Sequence, residues 1–266
     1  MTNIQSIVIA IIEGLTEFLP ISSTAHMRFA HPLLGIPPSP FVDMFEVVIQ
    51  LAAIFAVLVL YREKFFNFKS PRFYLKLIIA VIPALVFGFL LKKHIDAALG
   101  NLSFIAWVMV GGGILLLFVD SLFKNPVIDS EEKVTYKHAL IIGCGQVLSI
   151  VFPGLSRSAA TIITGMSQKL TRSAAAEFSF FLAVPTMMAA SAKSFLDTYT
   201  DHPEVLERSN MISLLLGSVV SFIVAVIAIK FFIDFLKKYG FRVWGIYRIV
   251  AGFIMLLLIW KGVIRH

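Results

Sequence analysis

Six apolar runs recur along this 266-residue chain, at about 41–61, 73–91, 102–119, 173–194, 211–236 and 243–260, each long enough to cross a bilayer as a helix. Inside lipid every backbone N–H and C=O must find a partner within the chain, so only helices or closed barrels span. A barrel would show short segments of alternating polarity, whereas these runs are continuous. The expected fold class is therefore an all-α polytopic membrane protein. The composition agrees, with 58% hydrophobic and only 15% charged residues. No polar stretch is long enough for a separate soluble domain, so 1–266 reads as a single membrane domain. The net charge of +7 is explained by lysine and arginine in cytoplasmic loops. There is no basic stripe or nucleic-acid motif, and no nucleic-acid partner is expected. Cys144 is the lone cysteine, which excludes a disulfide within the chain, and it is expected to pack as a small apolar residue. The first nineteen residues lack a basic start and contain Glu13 and Glu17, unlike a cleavable signal peptide.

Two regions, 4–34 and 139–168, fit poorly as spans. Each is an apolar helix broken at a proline, then a polar turn and a second short helix, the pattern of a re-entrant hairpin. Placing Pro20 over Pro153 aligns the two without a gap; Glu13 falls on Gln146, Ser23 on Ser156 and Thr24 on Arg157. Phe45-Glu46 matches Ala176-Glu177, and the run from Gly111-Gly112-Gly113 matches that from Ala251-Gly252. Such weak self-similarity is what an internal duplication leaves in a membrane fold. Repeat one is assigned to 1–124 and repeat two to 134–266. Each half then holds an odd number of spans, so the halves are expected to be inverted, with hairpin tips meeting near the midplane.

Loop charge orients this arrangement. Arg62, Lys64, Lys69 and Arg72 in 62–72, and Lys237, Lys238 and Arg242 in 237–242, mark the cytoplasmic side. Loop 195–209, with Asp197, Asp201, Glu204 and Glu207 against Arg208, is expected outside, as are both termini. Lys92 and Lys93 go against the rule.

The polar residues of the hairpins sit among apolar flanks, where a charged side chain is costly and is a functional-site hypothesis by default. Glu13 and Glu17 are four apart, on one helix face. Two adjacent carboxylates call for a cation, an arginine or a shared proton. Oxygen donors suit a hard divalent cation, Mg²⁺ or Ca²⁺, bridging to phosphate. After Pro20, Ser22 or Ser23 can cap the next helix, whose free N–H groups form an anion site. Ser23 and His26 share one side of its first turn. A hydroxyl beside an imidazole or carboxylate is the minimal activated nucleophile. Pro153-Gly154 makes the matching turn, Ser156 starts the matching helix, and Arg157 offers a planar fork to phosphate oxygens. Each has a plainer reading: a solvated interfacial face for the carboxylates, a cap with a structural histidine, and an arginine among headgroups. Together they describe a site for a compact polyanion, a diphosphate rather than a neutral or cationic ligand. Glu46 and Glu177 read either as polar struts near that site or as span ends. His31, His94, His138, His202 and His266 show no ligand spacing, and no Walker-type loop or HExxH is present.

At these residues the chain resembles the bacterial undecaprenyl-diphosphate phosphatases, the bacitracin-resistance family. The family's glutamate-rich motif is similar to Glu13-Gly-Leu-Thr-Glu17-Phe-Leu-Pro20-Ile-Ser22-Ser23-Thr24-Ala-His26, and its PGxSRSxxT motif is matched in full by Pro153 to Thr161. Ala25 stands where the family usually has glycine. The resemblance covers essentially the whole chain. It implies hydrolysis of a C55 lipid diphosphate to the monophosphate carrier and inorganic phosphate at the outer face of the bacterial inner membrane. This recycles the carrier for peptidoglycan synthesis and confers bacitracin resistance. Lipid phosphatases with a histidine nucleophile need a Lys–Arg-Pro and a PSGH motif, which are lacking.

The expected catalytic set is Glu17, Ser23, His26 and Arg157. Glu13, Ser22, Thr24, Gly154, Ser156, Ser158 and Thr161 are expected to bind substrate, with Glu13 and Glu17 holding the cation. Ser23 attacks the terminal phosphorus, Glu17 with or without His26 manages the proton, and Arg157 neutralises the phosphate oxygens; direct attack by water is the alternative. The rival class is a transporter or flippase of a phosphorylated polyprenyl lipid, since inverted repeats with broken helices are also a transporter architecture. Assembly as a homodimer is left open.

Overall fold

A computed structural model describes residues 1–67 and 70–264. Lys69 and His266, counted above, lie outside the described residues. Among the described residues six helices are long and apolar enough to cross a membrane: α3 (Pro40–Leu60), α5 (Pro71–Leu90), α7 (Leu102–Leu122), α10 (Arg172–Asp201), α11 (Arg208–Tyr239) and α12 (Arg242–Trp260). Two shorter pairs accompany them, α1 (Asn3–Thr16) with α2 (Ser23–Leu33) ahead of α3, and α8 (Tyr136–Val151) with α9 (Arg157–Ser167) between α7 and α10. The small helices α4 (Arg62–Phe65) and α6 (Lys92–Leu99) follow α3 and α5. The chain is an all-α polytopic membrane protein.

The breaks between the short helices fall where proline and polar residues interrupt the apolar pattern. In each pair a serine with its backbone at positive φ stops the incoming turn and caps the outgoing helix. Ser22 (φ 70°) accepts from Ala25 N–H, and Ser156 (φ 76°) accepts from Ala159 N–H, both at 3.3 Å. Non-glycine residues rarely occupy this region, so the shared conformation is specific. It registers Ser22, not Ser23, with Ser156. The second hairpin has one more residue between its proline and its capping serine, Pro153 to Ser156 against Pro20 to Ser22, and Gly154 (φ 98°) stands in that interval.

Packing exchanges elements between the halves. Helix α1 lies on α11 of the other half, and α8 lies on α5. Helix α3 packs on α10, and α7 on α12. Glycines allow the close approaches. A Cβ on Gly14 would stand 2.7 Å from the Ser221 carbonyl oxygen, and one on Gly143 would collide with that of Ala80. A buried aromatic cluster joins Phe18 to Phe180 edge-to-face at 5.1 Å, just beside the first turn.

Two ends of the bundle can be told apart. Lys64 and Lys76 meet Glu131 at one end, where Arg172 also pairs with Asp120 at 2.7 Å. At the other end Asp43, Lys92, Asp96 and Asp197 surround one opening. The loops expected to share a side do so. The loop expected at 195–209 is shorter than read, because α10 runs on to Asp201 and α11 begins at Arg208. Lys193 and Asp197, paired at 2.8 Å one turn apart, extend α10 beyond its apolar stretch. Pro83 and Pro185 lie inside α5 and α10. Cys144 is exposed on α8 rather than packed, because the close face of that helix is taken by Gly143.

Candidate active site

The two hairpin turns meet in the middle of the bundle. Ser158 Oγ donates to the Leu19 carbonyl at 2.8 Å, so the start of α9 is bonded to the turn that precedes α2. Across this junction Arg157 Nη2 reaches Glu17 Oε1 at 3.0 Å, while Nη1 donates to the Ser179 carbonyl on α10 at 3.0 Å. The other oxygen of Glu17 accepts from Ser23 Oγ at 2.5 Å. A single carboxylate thus receives a hydroxyl from its own hairpin and a guanidinium from the opposite one. Arg157 Nε is buried and has no partner among the described residues.

Glu17, Ser22, Ser23, Thr24, Ser156 and Arg157 line a cavity of about 100 Å³, with Gln50 of α3 and Met187 of α10 completing it. Ser22, Thr24 and Ser156, with Gly154 and Arg157, also border a vestibule of about 770 Å³ that runs out past Arg28, Glu46 and Gln50 to Lys92 and Asp197. Lys92, the residue that breaks the charge rule, stands on its rim 4.0 Å from Asp197.

The other expected residues are placed differently. Glu13 is fully buried below Glu17, and both its oxygens lack a partner among the described residues. An ionised carboxylate in such a place is costly unless it is matched. Ser158 and Thr161 are fully buried and bonded within the protein, Thr161 to Ser179 Oγ at 2.6 Å, and neither lines the cavity. His26 is not brought to Ser23. Its Nδ1 donates to the Ser22 carbonyl at 2.7 Å, and its Nε2 meets the Tyr247 hydroxyl at 2.8 Å. Its ring stacks on Tyr247, 5.7 Å between centroids. Glu46 is buried beside the vestibule and paired with Arg28 at 3.4 Å, whereas Glu177 lies away from it. His31 turns to Glu46 at 3.5 Å.

Gln50, Ser179, Tyr247 and Arg248 were not anticipated. Arg248 had a signal, since it is a charge inside the apolar run 243–260. Tyr247 had none, because its partner lies in the other half of the chain.

No group of three His, Cys, Asp or Glu side chains suited to a metal occurs among the described residues. A smaller oxygen set fits a hard cation. Glu13 and Glu17 stand one helical turn apart and both oxygens of Glu13 lack a hydrogen-bond partner among the described residues, and Mg²⁺ is commonly held by one or two carboxylates together with substrate phosphates.

The fold and this site define a class: a multi-pass helical membrane protein whose two broken-helix turns join a hydroxyl, a carboxylate and an arginine at a buried polar centre. The profile of the family described as Bacitracin resistance protein BacA matches residues 6–254, and the chain belongs to that family. It is 48% identical to the undecaprenyl-diphosphatase of Porphyromonas gingivalis over 99% of both chains. Identity is 50% with that of Flavobacterium johnsoniae, over 97% of this chain and 96% of the relative. With that of Bdellovibrio bacteriovorus it is 42%, over 98% of each.

Proposed function

We propose that the chain hydrolyses undecaprenyl diphosphate to undecaprenyl phosphate and inorganic phosphate, recycling the carrier lipid for peptidoglycan synthesis and conferring resistance to bacitracin. The observation that carries this reading is the 2.5 Å contact between the Ser23 hydroxyl and Glu17, with Arg157 on the same carboxylate. A lipid transporter would need the arginine and the helix starts. It would not need a hydroxyl held against a carboxylate.

In this mechanism the starts of α2 and α9 direct their free N–H groups at the terminal phosphate. Arg157 exchanges its hold on Glu17 for the phosphate oxygens. The released Glu17 takes the Ser23 proton as Oγ attacks the terminal phosphorus. The bond from that phosphorus to the bridging oxygen breaks, and the lipid phosphate leaves with the bonding pair. Water then releases phosphate from Ser23. Lipid phosphate is a good leaving group, so positioning and charge neutralisation supply most of the acceleration. Glu13 and Glu17 would hold a divalent cation, Mg²⁺ or Ca²⁺, which would supply positive charge to the phosphate oxygens. His26, turned to Tyr247, acts by fixing the Ser22 carbonyl and so the start of α2.

The two halves, 1–124 and 134–266, are read as inverted repeats with re-entrant hairpins. The exchange of α1 and α8 between halves supports this reading, because equivalent helices make equivalent contacts. With the Lys64 and Arg172 end placed in the cytoplasm by charge, the vestibule opens on the outer face of the bacterial inner membrane.

The test is phosphate release by the purified chain in detergent, where no two sides exist. Steady turnover of undecaprenyl diphosphate is expected. Binding without turnover would favour transport and overturn the reading.

A further inference from the structure

Arg248 is fully buried in α12, inside a span where any apolar side chain would pack at lower cost. Its guanidinium makes five hydrogen bonds, all to backbone carbonyls. Nη1 donates to Pro20 O at 3.0 Å and Leu155 O at 2.6 Å. Nη2 donates to Gly154 O at 2.8 Å and Val108 O at 3.4 Å, and Nε to Met109 O at 3.2 Å. An arginine has five N–H donors, so none is left for a ligand. Three of the acceptors lie in the two hairpin turns, immediately ahead of the capping serines Ser22 and Ser156. The other two come from α7, which packs on α12. One rigid fork therefore ties both turns to a single helix pair.

The glycines of α7 make room for it. A Cβ at Gly112 would collide with Arg248 Nη2, and one at Gly113 would stand 2.9 Å from Arg248 Cβ. A Cβ at Gly111 would meet nothing within 4 Å. Two of the three consecutive glycines thus border this side chain, and the third does not.

We propose that Arg248 is a positioning residue for phosphate hydrolysis: it sets the register of the two hairpin tips, and so the distance at which Ser23 and Glu17 face Arg157. This rests on the phosphatase reading above. A lysine has three N–H donors on one nitrogen in place of five on a planar fork, so it cannot keep all the bonds to both turns and to α7. A small loss of register between reacting groups lowers the chemical step far more than binding.

The experiment uses the full chain with Cys144→Ala and spin labels on cysteines at Leu33 and Ser167, the exposed ends of α2 and α9. Distances between the labels and the kinetics of phosphate release from undecaprenyl diphosphate are measured for the parent, Arg248→Lys, Gly112→Ala and Gly111→Ala. The expected result is a narrow distance distribution in the parent and in Gly111→Ala, broadened in the other two. Those two should lose about a hundredfold in kcat with KM within a few-fold of the parent. If Arg248→Lys does not yield folded protein, Gly112→Ala decides. Parental kcat and distances in Gly112→Ala overturn the proposal, as does a raised KM with kcat retained, which would put Arg248 on the substrate. Broadened distances in a chain that releases no phosphate at all would leave the clamp standing and remove the phosphatase reading instead.

Discussion

Ser23 and Arg157 never touch, yet both are bonded to Glu17, the hydroxyl at 2.5 Å on one oxygen and the guanidinium at 3.0 Å on the other. The carboxylate is thereby shared between the nucleophile candidate and the phosphate-binding group. In the mechanism proposed above, substrate that draws Arg157 away frees Glu17 to accept the Ser23 proton, so phosphate binding to Arg157 precedes full activation of Ser23.

Ser23→Ala removes the hydroxyl and leaves the Glu17–Arg157 contact, the Ser22 cap and both helix starts in place. Turnover should fall to near background while the variant still binds lipid diphosphate, measured by phosphate release beside equilibrium binding. Near-parental turnover would transfer the nucleophile's role to water.

Arg157→Lys keeps the charge and loses the fork that engages Glu17 and Ser179 together. The loss of one preorganised donor should cost about 3 kcal/mol of transition-state stabilisation, seen as a drop in kcat/KM. A variant within a few-fold of the parent would place Arg157 outside contact with the reacting phosphate.

Glu13→Gln removes a buried carboxyl group that has no hydrogen-bond partner among the described residues. If Glu13 helps to hold a cation, a chelator should inhibit the parent, and added Mg²⁺ or Ca²⁺ should restore it. In Glu13→Gln the metal concentration needed for half-maximal rate should rise at least tenfold. A parent indifferent to chelator, or a variant with an unchanged metal requirement, would remove the cation from the site.

Sidedness is tested with single cysteines in a Cys144→Ala chain. A cysteine at Pro203 should react with an impermeant thiol reagent in intact cells, and one at Ser70 should not. The reverse pattern would turn the vestibule toward the cytoplasm. Labelling of both from one side would make the halves parallel.

Spans and hairpins were readable because bilayer thickness imposes a run length and proline interrupts it. The breaks at Pro20 and Pro153 lie within the observed turns, at 17–22 and 152–156. The outer ends of α10 and α11 were not readable, since helices that leave the bilayer continue on pairs such as Lys193–Asp197, which look like loop charge. The proximity of Glu17 and Arg157 was suggested by matching the hairpins. The register was not, because one more residue separates proline from capping serine in the second hairpin than in the first. The orientation of His26 had no local cause at all: the Tyr247 hydroxyl that meets it comes from α12. Arg248 announced itself as a charge in a span, but backbone carbonyls, its partners, carry no signature in sequence.

The exchange of helices between halves has a consequence for biogenesis. Helix α1 is among the first segments made, and the surface it packs on, α11, ends at Tyr239. Until ribosomal synthesis has passed that residue, Glu13 and Glu17 have no settled surroundings in the membrane. Arg248 arrives later still, and with it the bonds that tie both turns to α7 and α12. The enzyme's polar centre is therefore assembled last, by its C-terminal helix, and a nascent chain truncated within α12 would carry every residue of the two signature motifs without a working site.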